Sequence, residues 1–152
     1  MSDVYIIVIH LNNNKKFLYR TLQTHFKLEY HFNKNDYKFT QINTPLYIET
    51  IINTRDIFDL DKCVKMYMYQ YGIDNVRGGS YTNNILSEEL ITLIEREFRI
   101  INNKCSNCGG DHYTKDCNLI EEQAEIIHIN SNYPNNNYRT PVKAHNGYIY
   151  YT

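Results

Sequence analysis

The sequence CSNCGGDHYTKDC, from Cys105 to Cys117, decides how the C-terminal part of this 152-residue chain can fold. Its candidate metal ligands are Cys105, Cys108, His112 and Cys117, at the spacing Cys-x2-Cys-x3-His-x4-Cys. Three thiolates and one imidazole complete a tetrahedral Zn²⁺ site and leave no position open for water. Because so short a segment buries almost no apolar surface, the sequence predicts a structural Zn²⁺ that folds it.

Two glycines, Gly109 and Gly110, follow the second cysteine. A tight turn between ligands often needs a positive φ angle or a close approach of the backbone there. The segment resembles the CCHC zinc knuckle of retroviral nucleocapsids and of many cellular RNA-binding proteins. It has three residues between the second cysteine and the histidine, where the usual knuckle has four. The resemblance implies weak binding of single-stranded RNA or DNA.

The candidate nucleic-acid contacts of this segment are Tyr113, Lys104 and Lys115. Zinc knuckles stack bases on an aromatic residue and meet phosphates with Lys or Arg. Because Asp111 and Asp116 lie in the same segment, we expect binding to be weak and strongly salt-dependent. The alternative is a zinc-stabilised surface that contacts another protein.

Charge and cysteine usage limit the class of protein. The net charge is −1, so the protein as a whole is not an electrostatic clamp for nucleic acid. Of the four cysteines, only Cys63 lies outside the segment, and its apolar neighbours predict a core position. No disulfide framework follows, which indicates a reducing compartment. The N-terminus lacks the basic region of a signal peptide, and no apolar run approaches the length of a membrane span.

The N-terminal part predicts a hairpin followed by a helix. Val4–Leu11 is rich in β-branched and aromatic residues and predicts a buried strand. Asn12–Asn14 supplies turn residues, and residues 15–20 predict the returning strand. Residues 21–33 predict a helix that Thr21 caps. Its expected core-facing side chains are Leu22, Phe26 and Phe32.

The middle of the chain predicts a third strand and a second helix. Residues 46–52 follow a proline and are apolar enough for a strand. A helix capped by Asp59 or Asp61 should end at Gly72. One face of that helix carries Val64, Met68 and Tyr71.

Residues 71–81, YGIDNVRGGSY, predict a structured loop. Arg77 with Gly78 and Gly79 could form a backbone nest for an anion, or the glycines could serve packing against the sheet. Ser87 then begins a further helix. Its apolar stripe consists of Leu90, Ile91, Ile94, Phe98 and Ile101.

The order hairpin, helix, strand, helix resembles the GIY-YIG nuclease domain. The motif Asp3-Val4-Tyr5 is similar to the first signature, and residues 17–21, FLYRT, are similar to the second. Residues 26–32 resemble the following helix of that family. The block at residues 61–81 resembles GIY-YIG-like proteins of large DNA viruses of protists, which often end in a zinc knuckle.

The resemblance implies a fold class and a division into domains. We expect an α+β protein with a small three-stranded antiparallel sheet and packed helices, followed by a helix, a zinc knuckle and an extended tail. The GIY-YIG-like domain would span residues 1–83 and the connecting helix residues 84–104. The knuckle would span residues 105–117, and residues 118–152 would form an acidic segment and the tail.

The catalytic positions implied by the resemblance are degenerate. The family uses two tyrosines, an arginine and a metal-binding glutamate for phosphodiester hydrolysis. Tyr5 matches the first tyrosine, but Phe17 and Lys27 stand at the second tyrosine and the arginine. The glutamate position falls on Asp61 or Lys65, and Tyr19 replaces a glycine. We therefore expect no catalytic residues, and a scaffold that has lost its chemistry.

Three functions follow, in order of preference. The first is a zinc-binding, non-catalytic nucleic-acid-binding protein on a decayed GIY-YIG-like scaffold, in the host cytoplasm or the virion. The second is a virion-associated structural or protein-interaction protein whose C-terminal tail, residues 130–152, docks a partner. The third is an active GIY-YIG-type endonuclease with a divalent metal. His25 and His31 could be general bases, or they could be partly buried or solvated polar positions.

A basic N-terminal stretch offers a second possible phosphate-binding surface, or a solvated face with no function. Its members are Lys15, Lys16, Arg20, Lys27, Lys34 and Lys38.

Overall fold

The structure, a computed structural model, describes residues 3–28, 32–119, 141–143 and 149–151. The chain divides into two compact units, the first formed by Met1–Ile85 with Arg139–Thr152 and the second by Leu86–Tyr138. The predicted α+β class is confirmed: the described residues contain a four-stranded mixed sheet and three α-helices. None of these helices combines the length and the apolar character that a bilayer crossing requires.

The N-terminal hairpin forms as predicted. Strand β1, Val4–Leu11, pairs antiparallel with β2, Lys16–Thr21. The connecting turn, Asn12–Asn14, places Asn13 at φ 59° and Asn14 at φ 57°. Asparagine tolerates this left-handed region better than most residues, so the turn closes at little conformational cost.

The third strand, β3, is Pro45–Thr54 and pairs antiparallel with the other side of β1. Its pairing shifts between Val8, which faces Thr50, and Ile9, which faces Ile48. The intervening Glu49 is therefore an extra residue on β3, in the manner of a β-bulge. β3 forms one edge of the sheet, whose strand order is β3-β1-β2-β4.

The fourth strand corrects the prediction of a three-stranded antiparallel sheet. β4 is Val76–Gly78, inside the stretch predicted as a loop, and it pairs parallel with β2. A β-carbon on Gly78 would lie 2.2 Å from the carbonyl oxygen of Leu18, so only glycine allows this approach. Three residues give too little sequence pattern to be recognised as a strand.

The helices of the first unit agree with the sequence in part. Helix α1, Lys38–Ile42, was not predicted, whereas α2, Asp59–Tyr71, ends as expected at Gly72, which has a φ of 97°. The predicted helix at residues 21–33 is wrong over residues 22–27, which are not helical. Thr21 Oγ1 accepts a hydrogen bond from the backbone N–H of Gln23, so it forms a local turn instead of a cap.

The apolar core lies on both faces of the sheet. On one face the buried members are Ile7, Ile9, Leu11, Phe17 and Phe39, with Phe26 and Phe32 packed against them. The opposite face of β1 carries Ile6 and Val8, which are also fully buried. α2 contributes Val64 and Met68 to the core, as predicted, while Leu22 is exposed and not in the core. Cys63 is buried, as expected.

The second unit contains α3, Glu88–Ile101, followed by the Cys-His segment, residues 105–117. Ser87 caps the helix, because its Oγ accepts a hydrogen bond from the backbone N–H of Leu90. Ile94 and Phe98 are buried as predicted, but Ile101 is 65% exposed and Arg99 is buried in its place. The apolar stripe therefore ends one turn early.

The C-terminal residues that the structure describes form a short antiparallel ladder. β5, Pro141–Lys143, pairs with β6, Ile149–Tyr151, in a second sheet. The prediction of an extended tail over residues 130–152 did not include this ladder. The rest of that tail, His31, and most of the acidic segment that precedes the tail lie outside the described residues.

Candidate metal centre

The end of α3 leads the chain directly into the Cys-His segment. The backbone N–H of Lys104 donates to the carbonyl of Arg99 at 2.9 Å, and the side-chain amide of Asn102 donates to the carbonyl of Phe98 at 2.8 Å. Asn103 turns the chain with a φ of 56°. These bonds satisfy the last carbonyls of the helix, so Cys105 follows a fixed helix end.

The four predicted ligands come together. The ligand atoms of Cys105, Cys108, His112 and Cys117 all lie within 4.8 Å of one another. Cys108 Sγ lies 3.5 Å from His112 Nε2. A tetrahedral Zn²⁺ with bonds of about 2.3 Å to sulfur and 2.0 Å to nitrogen separates its ligands by about 3.5–3.8 Å. The cluster can therefore hold a metal ion, and its donor types fit zinc.

Both glycines of the turn have a physical reason to be there. Gly109 has a φ of 77°, and its backbone N–H donates to the carbonyl of Cys105 at 2.8 Å. Gly110 allows the imidazole of His112 to approach, because a β-carbon there would lie 3.0 Å from His112 Cε1. One glycine thus supplies the positive φ and the other the close approach.

The sulfur atoms sit among hydrogen-bond donors. Burial raises the pKa of Cys105, but hydrogen bonds from the backbone N–H groups of Cys108 and Asn107 and from the neighbouring thiols bring it to about 6. A hydrogen bond from the Leu119 backbone lowers the pKa of Cys117. Burial and the sulfurs of Cys105 and Cys108 together have the larger, opposite effect, so the pKa of Cys117 lies above its ordinary value. The sulfurs thus compete for protons, and a divalent cation would favour the thiolate at each.

Cys63 provides the contrast within the first unit. Burial and the neighbouring Asp59 carboxylate raise the pKa of its thiol to about 11. The thiol therefore stays protonated and unreactive near neutral pH.

Arg99 is part of the site and was missed in the sequence. Its side chain is only 8% exposed, and Nη1 donates to the carbonyl oxygens of Ser106 at 2.9 Å and Asn107 at 3.1 Å. Ser106 is held further by its N–H, which donates to Thr114 Oγ1 at 3.0 Å. The one signal in the sequence is a basic residue in the last helical turn before the ligands. The helix dipole favours a cation at that position in any helix, so the signal is not specific to a metal site.

The three candidate nucleic-acid contacts differ in availability. Tyr113 is 77% exposed, and Lys115 Nζ lies 5.8 Å from the centre of its ring. Lys104 instead forms a salt bridge with Asp111, and this hydrogen bond lowers the pKa of the Asp111 carboxyl. Tyr113 and Lys115 therefore present one aromatic face and one cation to solvent.

The positions matched to GIY-YIG catalytic residues do not form a polar cluster among the described residues. Tyr5 packs edge-to-face on Phe26, with ring centroids 5.0 Å apart. Phe17 is buried, and its ring centroid lies 4.8 Å from that of Tyr37. Lys27 is exposed, as is His25. Aromatic packing occupies the face of the sheet where the resemblance would place chemistry.

Tyr19, which stands at the glycine position of that motif, belongs to the same aromatic face. Burial raises the pKa of its phenol to about 12. Among the side chains that the structure describes, its hydroxyl is the buried polar atom without a hydrogen-bond partner.

Two lysines of the proposed basic surface are engaged within the protein. Lys16 is 4% exposed, and its Nζ binds both carboxylate oxygens of Glu49 at 2.7 Å. His10 Nδ1 lies 3.5 Å from the same ammonium. Lys15 Nζ donates to the carbonyl of Asp74 at 2.8 Å. A phosphate-binding surface that needs these two lysines is therefore not available.

The loop after β4 binds a carboxylate of the chain itself, that of Asp61. The backbone N–H of Ser80 donates to Asp61 Oδ1 at 2.8 Å, and the Ser80 hydroxyl donates to Asp61 Oδ2 at 2.6 Å. Asp61, a candidate metal ligand in the sequence, is thus used to fix this loop. Arg77 points inward and donates to the carbonyls of Ile73, Val76, Asn83 and Asn84.

Comparison with known proteins adds no relative. No family model, curated protein or solved structure matches the chain significantly. The functional interpretation therefore depends on the geometry of the site.

Proposed function

We propose that this chain is a zinc-binding, non-catalytic nucleic-acid-binding protein whose Cys-His segment binds single strands. The observation that carries the proposal is the exposed ring of Tyr113 beside Lys115, on a segment whose four ligands can hold a metal. Stacking on an exposed aromatic ring contributes about 1–3 kcal/mol per base and is tolerant of sequence. A metal-fixed loop keeps the ring in place without the help of an apolar core.

The expected affinity is low. Lys104 is paired with Asp111, which leaves Lys115, 5.8 Å from the centre of the Tyr113 ring, as the candidate phosphate contact. One phosphate contact to a single strand contributes a slope of about −0.7 in log K against log salt. In place of the strong salt dependence expected from the sequence, binding should therefore weaken only modestly with salt and depend chiefly on stacking.

The rest of the chain serves as a scaffold in this proposal. We infer a GIY-YIG-like origin for the first unit, of the kind found in large DNA viruses, from its sequence motifs and its hairpin. The packing of Tyr5 on Phe26 and of Phe17 in the core supports a scaffold without catalysis. Loss of even one transition-state contact typically costs about 10²–10³-fold in rate.

Fluorescence anisotropy with a labelled single-stranded oligonucleotide tests the proposal. Tyr113→Ala should weaken binding about tenfold at every salt concentration, since one stacked base is lost. Lys115→Ala should weaken binding less and flatten the salt dependence. Phe58→Ala is the matched control, because Phe58 is a comparably exposed aromatic in the first unit. Equal affinities for Tyr113→Ala and the parent would refute the proposal.

The same preparation tests the nuclease alternative. We expect no cleavage of plasmid, duplex or RNA on addition of divalent metal. Metal-dependent cleavage that Tyr5→Phe abolishes would replace the proposed function with an active GIY-YIG-type endonuclease.

A protein-interaction function is the second candidate, and exposed apolar side chains on α3 favour it. Leu93 and Ile100 are seven residues apart on one helical face and both are exposed, as is the neighbouring Ile101. A parent protein that holds zinc and binds neither RNA nor DNA would give this candidate first place. The tail would then be tested as a second docking element by truncation after residue 129.

A further inference from the structure

Arg99 holds two successive peptide groups of the turn between the first two metal ligands. Its Nη1 donates to the carbonyl oxygens of Ser106 and Asn107, at 2.9 Å and 3.1 Å. The side chain is buried, so these charge-assisted bonds form away from bulk water. The guanidinium also lines the backbone of the turn, since a β-carbon on Gly109 would lie 3.6 Å from Arg99 Nε.

The same two peptide groups face a ligand sulfur at their other end. The carbonyl of Ser106 shares its peptide with the N–H of Asn107, and the carbonyl of Asn107 shares its peptide with the N–H of Cys108. These two N–H groups are the backbone groups that lower the pKa of the Cys105 sulfur. Each peptide thus lies between a cation at its oxygen and a sulfur at its hydrogen, an arrangement that strengthens both hydrogen bonds.

We propose that Arg99 is a positioning residue for the metal, which orients two backbone N–H groups onto the Cys105 sulfur and thereby tightens metal binding. Groups that fix a ligand without touching the metal commonly change its affinity by about 10–100-fold. The inference rests on the metal-binding part of the proposed function and does not depend on nucleic acid.

The competing explanation is that Arg99 only fixes the end of α3. A structural role of that kind would change stability and affinity, but it would leave the electronic state of the sulfur unchanged. Hydrogen bonds to a thiolate lower its donor strength, so their loss should move the sulfur-to-metal charge-transfer band to lower energy. Co²⁺ provides this band and occupies the same tetrahedral ligand sets as Zn²⁺.

The experiment compares three variants of the full chain with the parent. Arg99→Met removes the donors, Arg99→Lys retains one flexible ammonium, and Arg96→Met is a control on the same helix. The Arg96 side chain has no hydrogen bond or ion pair among the described residues. The measurements are chelator competition for Zn²⁺, the Co²⁺ charge-transfer energy, and helix content by circular dichroism.

We expect Arg99→Met to bind Zn²⁺ about 10–100-fold more weakly and to shift the Co²⁺ band to lower energy. Arg99→Lys should fall between Arg99→Met and the parent in both measurements, because an ammonium cannot hold both carbonyls with the geometry of the guanidinium. Arg96→Met should match the parent. If Arg99→Met does not fold, the band position of Arg99→Lys decides.

Three results would overturn the inference. The first is a parent-like affinity in Arg99→Met, and the second is a loss of affinity with an unchanged band, which would leave Arg99 a purely structural role. The third is a parent that binds neither Co²⁺ nor Zn²⁺, which would refute the proposed function as well. A parent that binds metal but no single strand would remove only the proposed function and leave this inference standing.

Discussion

The sheet of the first unit and the Cys-His segment of the second are stabilised in opposite ways. The sheet buries Ile7, Ile9 and Phe17 completely or almost so, and its few buried charges find partners inside the chain. The Cys-His segment buries only Cys105 fully, and turns, hydrogen bonds and its metal ligands define it. The comparison teaches that one part of this chain is stable through apolar burial, while the other buries little apolar surface and, under the proposed function, is folded by a metal ion.

Metal removal should produce the largest difference in stability between the sheet and the Cys-His segment. Structural zinc contributes about 10 kcal/mol or more to the folding of short peptides, so a chelator or Cys108→Ser should unfold residues 105–117. The sheet has its own core and should keep its amide NMR chemical shifts. A loss of dispersion in the β1 and β2 signals on chelation would break the comparison.

Thiol alkylation at pH 8 provides the matched readout for that experiment. The three segment thiols should react once the metal is removed. Cys63 should remain slow, because its pKa is raised to about 11. Cys63→Ser is the control and should retain the metal with normal affinity.

Removal of the Arg77 guanidinium should have the next largest effect, and in the sheet alone. Arg77 is 2% exposed and its donors satisfy carbonyls on both sides of β4, including those of Ile73 and Asn83. Arg77→Met leaves the carbonyls of these part-buried hydrogen bonds without their donors, so we expect a loss of about 3 kcal/mol in the free energy of unfolding. Urea denaturation measures it, with the exposed Arg20→Met as control. A loss below about 1 kcal/mol would mean that the loop reorganises easily.

Glu49→Gln should destabilise the sheet somewhat less. It leaves the ammonium of Lys16 buried without a counter-charge, while the partial exposure of Glu49 lets water compensate in part. We expect a loss of about 2 kcal/mol, and partial recovery in the double variant Lys16→Met/Glu49→Gln. If the double variant is less stable than the sum of the single variants predicts, the pair does not stabilise the fold in this way.

Gly109→Ala should have the smallest effect and should act on metal binding. A β-carbon on Gly109 would lie 3.6 Å from Arg99 Nε, which is ordinary van der Waals contact. The substitution therefore costs only the backbone strain of a φ of 77°. A non-glycine residue in this region costs about 1–2 kcal/mol, which corresponds to about tenfold in Zn²⁺ affinity. Gly109→Asn should lose less, because asparagine tolerates the left-handed region. Equal losses for the two variants would show that space, and not φ, limits this position.

Local patterns explain what the sequence could predict. The four ligands, the β1–β2 hairpin and the ends of α2 and α3 each carry their signal within a few residues, as ligand spacing, turn asparagines, or a cap such as Ser87 or Gly72. Such signals do not depend on what the rest of the chain does.

The missed features all depend on distant partners. β4 exists because it meets β2, and the burial of Arg77 and Arg99 depends on carbonyl groups that only the folded chain supplies. The spacing of Leu22, Phe26 and Phe32 predicts an apolar helix face over residues 21–33. Phe26 and Phe32 instead pack on Tyr5 and Phe17 of the sheet. Helix propensity predicts structure poorly where aromatic side chains can pack on a sheet, because tertiary packing outweighs it.

The parallel pairing of β4 with β2 has a consequence for the order in which the chain acquires structure. The sheet is complete only when Leu18 of β2 pairs with Gly78 of β4. Folds that depend on pairings so distant in sequence form slowly, in about milliseconds to seconds. During synthesis, β4 and the loop that follows it must leave the ribosome before the four-stranded sheet can close. The Cys-His segment spans a short loop whose ends meet in about 10–100 ns, so it can capture an ion as soon as Cys117 emerges. The Cys-His segment is made after the sheet and can nevertheless fold sooner than the sheet closes.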